Sequence, residues 1–88
     1  MMAREDIIKQ CVAVLGQIID DGSVPRNIRR AADRARAVLV DTHTSPVVRA
    51  ASAMSMLDEV SNDPNLPLHT RTLIWGIASQ LERVSVDV

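Results

Sequence analysis

Aromatic residues and cysteines are nearly absent from this sequence of 88 residues. It contains neither phenylalanine nor tyrosine, and Trp75 is its one aromatic residue. Cys11 is its one cysteine, which excludes an internal disulfide and a thiolate zinc site within one chain. The core must therefore be filled by isoleucine, leucine, valine, methionine and alanine, and stability must come from the packing of those side chains.

Long apolar runs are also missing. No run approaches the roughly 18 to 20 residues that a membrane-spanning helix requires. The N-terminal segment MMAREDIIKQ carries acidic residues where a signal peptide would have a basic stretch followed by an apolar core. We therefore expect a cytoplasmic protein that makes no contact with a membrane.

The overall composition is that of a folded globular protein. Hydrophobic residues make up 47% of the chain and charged residues 24%, and the net charge is −1. This balance is typical neither of disordered chains nor of strongly basic nucleic-acid-binding domains. A chain of this length fits one domain, so we predict a single domain over residues 1–88.

Three of the four prolines mark predicted helix starts. They stand at positions 25, 46 and 67, at equal intervals of 21 residues. Two positions before each proline is a residue whose side chain can cap a helix: Ser23, Thr44 and Asn65. Proline is tolerated in a first helical turn because its missing N–H would have no partner there. Each interval leaves room for a helix of about 16 to 18 residues and a short connection.

Apolar residues recur at steps of three and four along the chain, which is the period of an α-helix. The first predicted helix has the widest apolar face, formed by Ile7, Ile8, Cys11, Val12, Leu15, Ile18 and Ile19. The second has a narrower face of mostly small side chains: Ile28, Ala31, Ala32, Ala35, Val38 and Leu39. The third is predicted to bury Val47, Val48, Ala51, Met54, Leu57 and Val60, and the fourth Leu73, Ile74, Ile77, Ala78, Leu81 and Val84.

The arrangement of these helices follows from their spacing. No segment alternates polar and apolar residues as a strand does, so the sequence predicts an all-α protein. Short links favour an antiparallel up-and-down four-helix bundle. The alternative is a HEAT-like arrangement of helix pairs, because the segment SPVVRAASAMSML resembles one layer of such a repeat. Two helix pairs are too few for a solenoid, which usually requires at least about three repeats, and we favour the bundle.

The second predicted helix is rich in arginine, with Asp33 as the one acidic residue in its body. It carries Arg26, Arg29, Arg30, Arg34 and Arg36. The first three are unfavourably placed, because the start of a helix repels cations. In an antiparallel bundle they would lie beside acidic residues at the ends of the first and third helices, and we expect ion pairs there. The acidic candidates are Asp20, Asp21, Asp58, Glu59 and Asp63.

Arginines left without ion pairs would form a basic surface instead. Arg26, Arg30 and Arg34 share one face of the helix and could bind phosphate or an acidic partner. The net charge of −1 and the lack of stacking aromatic residues other than Trp75 argue against nucleic acid. A nucleic-acid-associated role is therefore the alternative rather than the first interpretation.

No residue pattern in the chain indicates catalysis, a metal site or a cofactor. His43 and His69 are expected at opposite ends of the bundle, too far apart to share a metal, and Cys11 is interpreted as a small buried side chain. Glycine-rich phosphate loops and known metal-binding motifs are absent. We predict that the protein is not an enzyme. If a small ligand binds, residues 61–71 are the best candidate site, although capping of the fourth helix is the interpretation we favour.

The apolar face of the first helix is wider than one bundle interior needs, which suggests burial against a protein partner or a second copy. Trp75 lies about 100° from Ile74 around the fourth helix, at the edge of the predicted core, where it could anchor an interface. The candidate interface residues are Trp75, Val14 and Ile7. The sequence thus favours a non-enzymatic protein-interaction module or a small helical oligomer.

Three segments also resemble those of a known family. They are SVPRNIRRAADRA, SPVVRAASAMSMLDEVSNDPN and LPLHTRTLIWGIASQLE. They are similar to segments of a small archaeal family, uncharacterised protein family 0147, and the similarity covers nearly the whole chain. The resemblance implies a short helical bundle in a cytoplasmic setting. It implies no activity, cofactor or catalytic residue.

Overall fold

The computed structural model describes residues 2–85, and in that range it contains four α-helices and no strand. They are α1 (Arg4–Ile19), α2 (Arg26–Leu39), α3 (Pro46–Ser61) and α4 (Leu68–Ser85). The prediction of an all-α protein with four helices is confirmed. None of these helices combines the length and the apolar character that crossing a bilayer demands.

The helices pack in chain order around one core. α1 packs against α2, α2 against α3 and α3 against α4, and α4 returns to pack against α1. A smaller contact joins α1 and α3 across the centre, whereas α2 and α4 lie diagonally apart. The return of α4 to α1 closes the ring, as expected of an up-and-down bundle and not of an open stack of helix pairs. The bundle measures 36 × 21 × 20 Å.

The core combines large side chains from all four helices with alanines from α2 and α3. The largest contributions of α1 and α4 are Ile7, Ile8, Leu15, Ile18, Ile74, Ile77, Leu81 and Val84. The alanines of α2 and α3 that lie in the core are Ala31, Ala32, Ala35, Ala50 and Ala53. The small-residue face predicted for α2 is therefore confirmed, and alanine there lets neighbouring helices approach without large side chains between them.

The apolar face predicted for α3 is wrong in its first half. Val48 is 52% exposed and Ala51 is also exposed. The buried residues are Arg49, Ala50, Ala53, Leu57 and Val60. Valine outweighs alanine in hydrophobicity, so the sequence pattern selected the wrong side of the first two turns. The buried face of these turns holds the small side chains of Ala50 and Ala53, because α3 lies against α2 and also meets α1 across the centre of the bundle.

Three links of equal length connect the helices, and each is organised by an aspartate. The links comprise six residues each, 20–25, 40–45 and 62–67. The organising aspartates are Asp21, Asp41 and Asp63, and the carboxylate of each accepts the N–H of the residue two positions later at 2.8 to 3.0 Å. The carbonyl of each aspartate also accepts the N–H of the residue three positions later. This is the Asx-turn, in which a side chain imitates a backbone turn.

The helix caps predicted at Ser23, Thr44 and Asn65 are wrong. α2 begins after Pro25 with no side-chain cap, and α3 is capped by the hydroxyl of Ser45, which accepts from the N–H of Val48 at 3.4 Å. The predicted caps lie too early in the links to reach a first helical turn. The hydroxyls of Ser23 and Thr44 donate to the link aspartates instead, because a carboxylate is a stronger acceptor than a neutral group, and Asn65 donates its backbone N–H to Asp63.

Candidate functional site

The arginine surface, which consists of Arg26, Arg30 and Arg34, lies on the outer face of α2. All three residues are exposed and stand one helical turn apart. Within residues 2–85 none of them makes an ion pair or a side-chain hydrogen bond. A shallow groove of about 350 Å³ beside this surface is lined by Arg26, Arg29, Arg30, Asp33 and Ile19.

The ion-pair network predicted for the start of α2 is wrong. In the described part of the chain, Arg26, Arg29 and Arg30 pair with none of the five acidic residues proposed for them. Asn27 meets the acidic end of α3 instead, where its amide donates to the carboxylate of Asp63 at 2.7 Å. Asp33 pairs with Arg36, three residues further along the same helix, at 2.9 Å.

Arg29 lies partly buried between the arginine surface and α1. Its Nε is buried and has no hydrogen-bond partner among residues 2–85. A buried donor without an acceptor costs free energy. An anion in the groove that Arg29 lines would offer this guanidinium an acceptor. The groove is therefore one place in the bundle that is suited to hold a negatively charged group.

His69 and the link aspartates stabilise the fold. Nε2 of His69 lies 3.0 Å from Oδ2 of Asp21 and ties the start of α4 to the first link. The hydroxyl and N–H of Ser23, followed by His69, lower the pKa of Asp21 to about 2. The N–H of His43 and the hydroxyl of Thr44 lower the pKa of Asp41 as well. Carboxylates held ionised in this way are poorly suited to proton transfer near neutral pH.

In the segment 61–71, the predicted place for a small ligand, several polar groups are bonded to other residues of the chain, whereas the hydroxyl of Thr70 and the Nε of Arg71 are buried without a hydrogen-bond partner among residues 2–85. The amide of Asn62 donates to the carbonyl of Asp58, and Asp63 accepts from both Asn27 and Asn65. His69 is engaged by Asp21. In residues 2–85 no group of three or more histidine, cysteine, aspartate or glutamate side chains is arranged to hold a metal ion.

Trp75 is the candidate interface residue that the structure leaves at the surface. It is 57% exposed and lines a groove between α3 and α4 together with Met54 and Asp58. Val14 is partly buried and lines a second, mainly apolar groove between α1 and α4. Ile7 is only 4% exposed and lies in the core, so it has almost no surface to offer a partner.

The wide apolar face of α1 is used within the bundle, because α1 meets α2, α4 and, across the centre, α3. Val12, Val14 and Ile19 pack against the core without being fully covered. The width of this face therefore follows from three neighbouring helices and does not require a partner. Cys11 is 2% exposed, and burial raises the pKa of its thiol to about 11, as suits a small buried side chain.

Arg49 is a structural residue that the sequence pattern did not reveal. It is 3% exposed, and its guanidinium donates to the carbonyls of Leu39 at 2.8 Å and Thr44 at 2.9 Å. It also forms a two-point ion pair with Glu5. One side chain thus joins α1, the end of α2 and the second link. The sequence does indicate the burial of Arg49, because this residue stands four positions before Ala53 and therefore lies on the buried face of α3.

Comparison with known proteins finds relatives over nearly the whole chain. A model of an uncharacterised protein family, UPF0147, matches residues 1–84. A UPF0147 protein of Methanocaldococcus jannaschii is 54% identical over 91% of this chain and 86% of its own length. Another, from Thermococcus kodakarensis, is 52% identical over 90% of this chain and 96% of its own length.

Two solved structures share the fold. The crystal structure of the unknown-function protein MMP1188 matches with a TM-score of 0.91 at 43% identity, covering 100% of this chain and 98% of its own. A crystal structure of a UPF0147 protein from Thermoplasma acidophilum matches with a TM-score of 0.86 at 38% identity, covering 91% of this chain and 94% of its own. Both similarities extend along all four helices.

Proposed function

This chain belongs to the uncharacterised protein family UPF0147, and from its surface we propose that it is a non-enzymatic accessory protein that binds nucleic acid through the arginine surface. The observation that carries the proposal is the absence of ion pairs at Arg26, Arg30 and Arg34 within residues 2–85. Exposed guanidinium groups along one helix face are the electrostatic footprint of phosphate binding.

The start of α2 adds to the positive potential of this surface. Its first turn contains no acidic residue and has no side-chain cap, so no acidic side chain of α2 itself offsets the positive end of the helix dipole, and the carboxylate of Asp63 meets this turn only at the amide of Asn27. Arginine suits phosphate because its planar guanidinium donates two parallel hydrogen bonds. No aromatic residue lies on α2, so we expect contact with the nucleic-acid backbone and little reading of base sequence.

Titration of short fluorescent single-stranded RNA and double-stranded DNA, followed by anisotropy, tests the proposal. Affinity should fall steeply with salt, with a slope of log K against log salt near −3 for duplex DNA if three phosphates are neutralised, at about 0.9 per phosphate. Arg30→Glu and Arg34→Glu should each weaken binding by about tenfold or more while leaving the helix content unchanged.

The matched control is Arg83→Glu. Arg83 is exposed near the end of α4 and bonds only to Gln80 among the described residues, so this variant changes the net charge equally at a distant place. Binding by Arg83→Glu should stay within about twofold of the parent, since a distant exposed charge is screened by salt. No binding at low salt, or equal losses in all three variants, would remove the proposal.

A second candidate function is protein interaction through the outer face of α4. Leu68 is 77% exposed and Trp75 is 57% exposed, and two helical turns separate them on one side of α4. Tryptophan is enriched among residues that dominate binding energy at interfaces. Trp75 is the one tryptophan of the chain, so a shift of its emission to shorter wavelength on association would report burial of this face directly.

A further inference from the structure

We propose that the groove between α3 and α4 binds the arginine surface of a second copy of this chain. The inference rests on the second candidate function and names its partner. The groove has a volume of about 390 Å³ and is lined by Met54, Ser55, Asp58, Ser61, Trp75 and Ala78 among others. It therefore combines apolar walls, hydroxyl acceptors and one carboxylate.

Asp58 makes this groove negative. Its carbonyl accepts from the hydroxyl of Ser61 at 2.8 Å, while its exposed carboxylate forms no ion pair within residues 2–85. The last turn of α3 contains no basic residue, so the negative end of the helix dipole acts in the same direction. Arg71, one turn before Trp75 on α4, does not pair with Asp58 either. The groove thus favours a cation.

Trp75 selects arginine among the cations. A guanidinium stacks on an aromatic face, and tryptophan is the most favourable ring for this cation–π contact. The ring is 57% exposed and stands at the same groove as the carboxylate of Asp58. An arginine side chain would lay its hydrocarbon stem along Met54 and Ala78 while its head meets the carboxylate.

The chain itself supplies the matching cations. Arg26, Arg30 and Arg34 are exposed and carry no ion pair with a described residue. The net charge of −1 means that two copies repel each other only weakly. Because α2 and α4 lie diagonally apart, one copy can present its arginine surface and its groove at the same time. Such a contact joins unlike surfaces, so association can continue beyond a dimer.

A charge exchange between two variants provides the test. In sedimentation velocity at low salt, the parent should associate with rising concentration, and the emission of Trp75 should shift to shorter wavelength. Asp58→Arg places like charges opposite each other in every contact, and so does Arg30→Glu. Each variant alone should associate about tenfold or more weakly. An equimolar mixture should regain association, because it restores opposite charges across the contact.

Several outcomes would overturn the inference. They are a parent that stays monomeric throughout the series, single variants that associate as the parent does, and a mixture that regains nothing. If the emission of Trp75 shifts but the mixture fails, the α4 face is an interface and the arginine surface is not its occupant. Circular dichroism checks that both variants are folded, and Arg83→Glu, with the same change of charge as Arg30→Glu, should associate as the parent does.

Nucleic-acid binding is read separately from self-association in the same variants. Asp58→Arg leaves the arginine surface intact and should retain nucleic-acid binding, whereas Arg30→Glu should lose both properties. Loss of self-association with retained nucleic-acid binding in Asp58→Arg would show that the two proposals can be tested independently of each other.

Discussion

Two polar side chains are buried among residues 2–85, Arg49 and Thr70, and they differ in how their polar atoms are satisfied. The guanidinium of Arg49 reaches two carbonyls and a carboxylate. Thr70 is 1% exposed, and its hydroxyl has no hydrogen-bond partner in the described part of the chain. Since an unsatisfied buried polar atom costs free energy and a satisfied one does not, removing the two groups should have opposite effects.

Replacing Arg49 by methionine should lower the free energy of unfolding by about 2 to 4 kcal/mol, because the carbonyls of Leu39 and Thr44 lose their donor in a buried place. Denaturant unfolding followed by circular dichroism measures the change. Glu5→Gln is the matched control, since it removes the ion pair and leaves both carbonyl bonds. Glu5 is 52% exposed, so this variant should cost less than about 1 kcal/mol. Equal costs for the two variants would contradict the role assigned to the carbonyls.

Replacing Thr70 by valine should raise the free energy of unfolding by about 1 kcal/mol, because the shape is kept and an unsatisfied hydroxyl is removed. Thr72→Val serves as the control: Thr72 is exposed, and its hydroxyl already donates to the carbonyl of Leu68 at 3.2 Å. That variant should change stability by less than about 0.5 kcal/mol. A clear loss of stability in Thr70→Val would mean that its hydroxyl is bonded in solution.

Among the structural elements, the first two links contain the aspartates whose pKa is lowered in the folded chain. The carboxyl pKa of Asp21 is lowered from 3.8 to about 2 in the folded chain. A lowered pKa stabilises the fold at pH values above the unfolded value, and this stabilisation is lost as pH falls from 3.8 towards 2. Asp21→Asn should therefore reduce stability at neutral pH and flatten the decline in that acid range. Thermal unfolding across pH measures both effects.

The neighbouring Asp20→Asn is the control for that experiment, because no side-chain hydrogen bond to Asp20 is present among residues 2–85. It should keep the acid decline of the parent. If Asp20→Asn and Asp21→Asn decline alike, the Asx-turn of the first link is not the source of the pH dependence.

The sequence predicts elements well where one period dominates. The apolar repeats of α1, α2 and α4 mark their buried faces, since large side chains or a run of alanines recur at helical steps. The buried face in the first half of α3 was predicted wrongly because valines stand beside alanines there, and hydrophobicity alone favours burial of the valines. The caps were missed because Ser23 and Thr44 are good partners both for a helix start and for a nearby aspartate.

In the candidate site, too, one part could be predicted from the sequence and another could not. The sequence places Arg26, Arg30 and Arg34 on one face because helical spacing determines which residues share a side. It does not determine which acidic group a long side chain reaches, since that depends on distances of a few ångströms between helices. Asn27, with a shorter side chain, meets Asp63 in the structure. The sequence did not determine the exposure of Trp75 either, because neighbouring side chains can cover a residue at the edge of the core or leave it exposed.

Across the whole molecule, the net charge of −1 is the sum of basic and acidic residues that are concentrated on different helices. Arg26, Arg30 and Arg34 lie on α2, and Asp58 and Glu59 lie near the end of α3. A polyanion and a second copy would use the same arginines. The two proposed partners therefore compete, and nucleic acid should dissolve assemblies that form through this contact.

Because the helices form a closed ring and the three links have six residues each, helices other than α1 could begin the chain. α1 begins and α4 ends at the same end of the bundle, side by side. A circular permutant that joins Ser85 to Arg4 through a copy of the first link (DDGSVP), and is opened within residues 62–67, would run in the order α4, α1, α2, α3. It should fold with the helix content of the parent, as measured by circular dichroism, and unfold cooperatively. A permutant that stays unfolded would show that chain order, and not the ring alone, specifies this architecture.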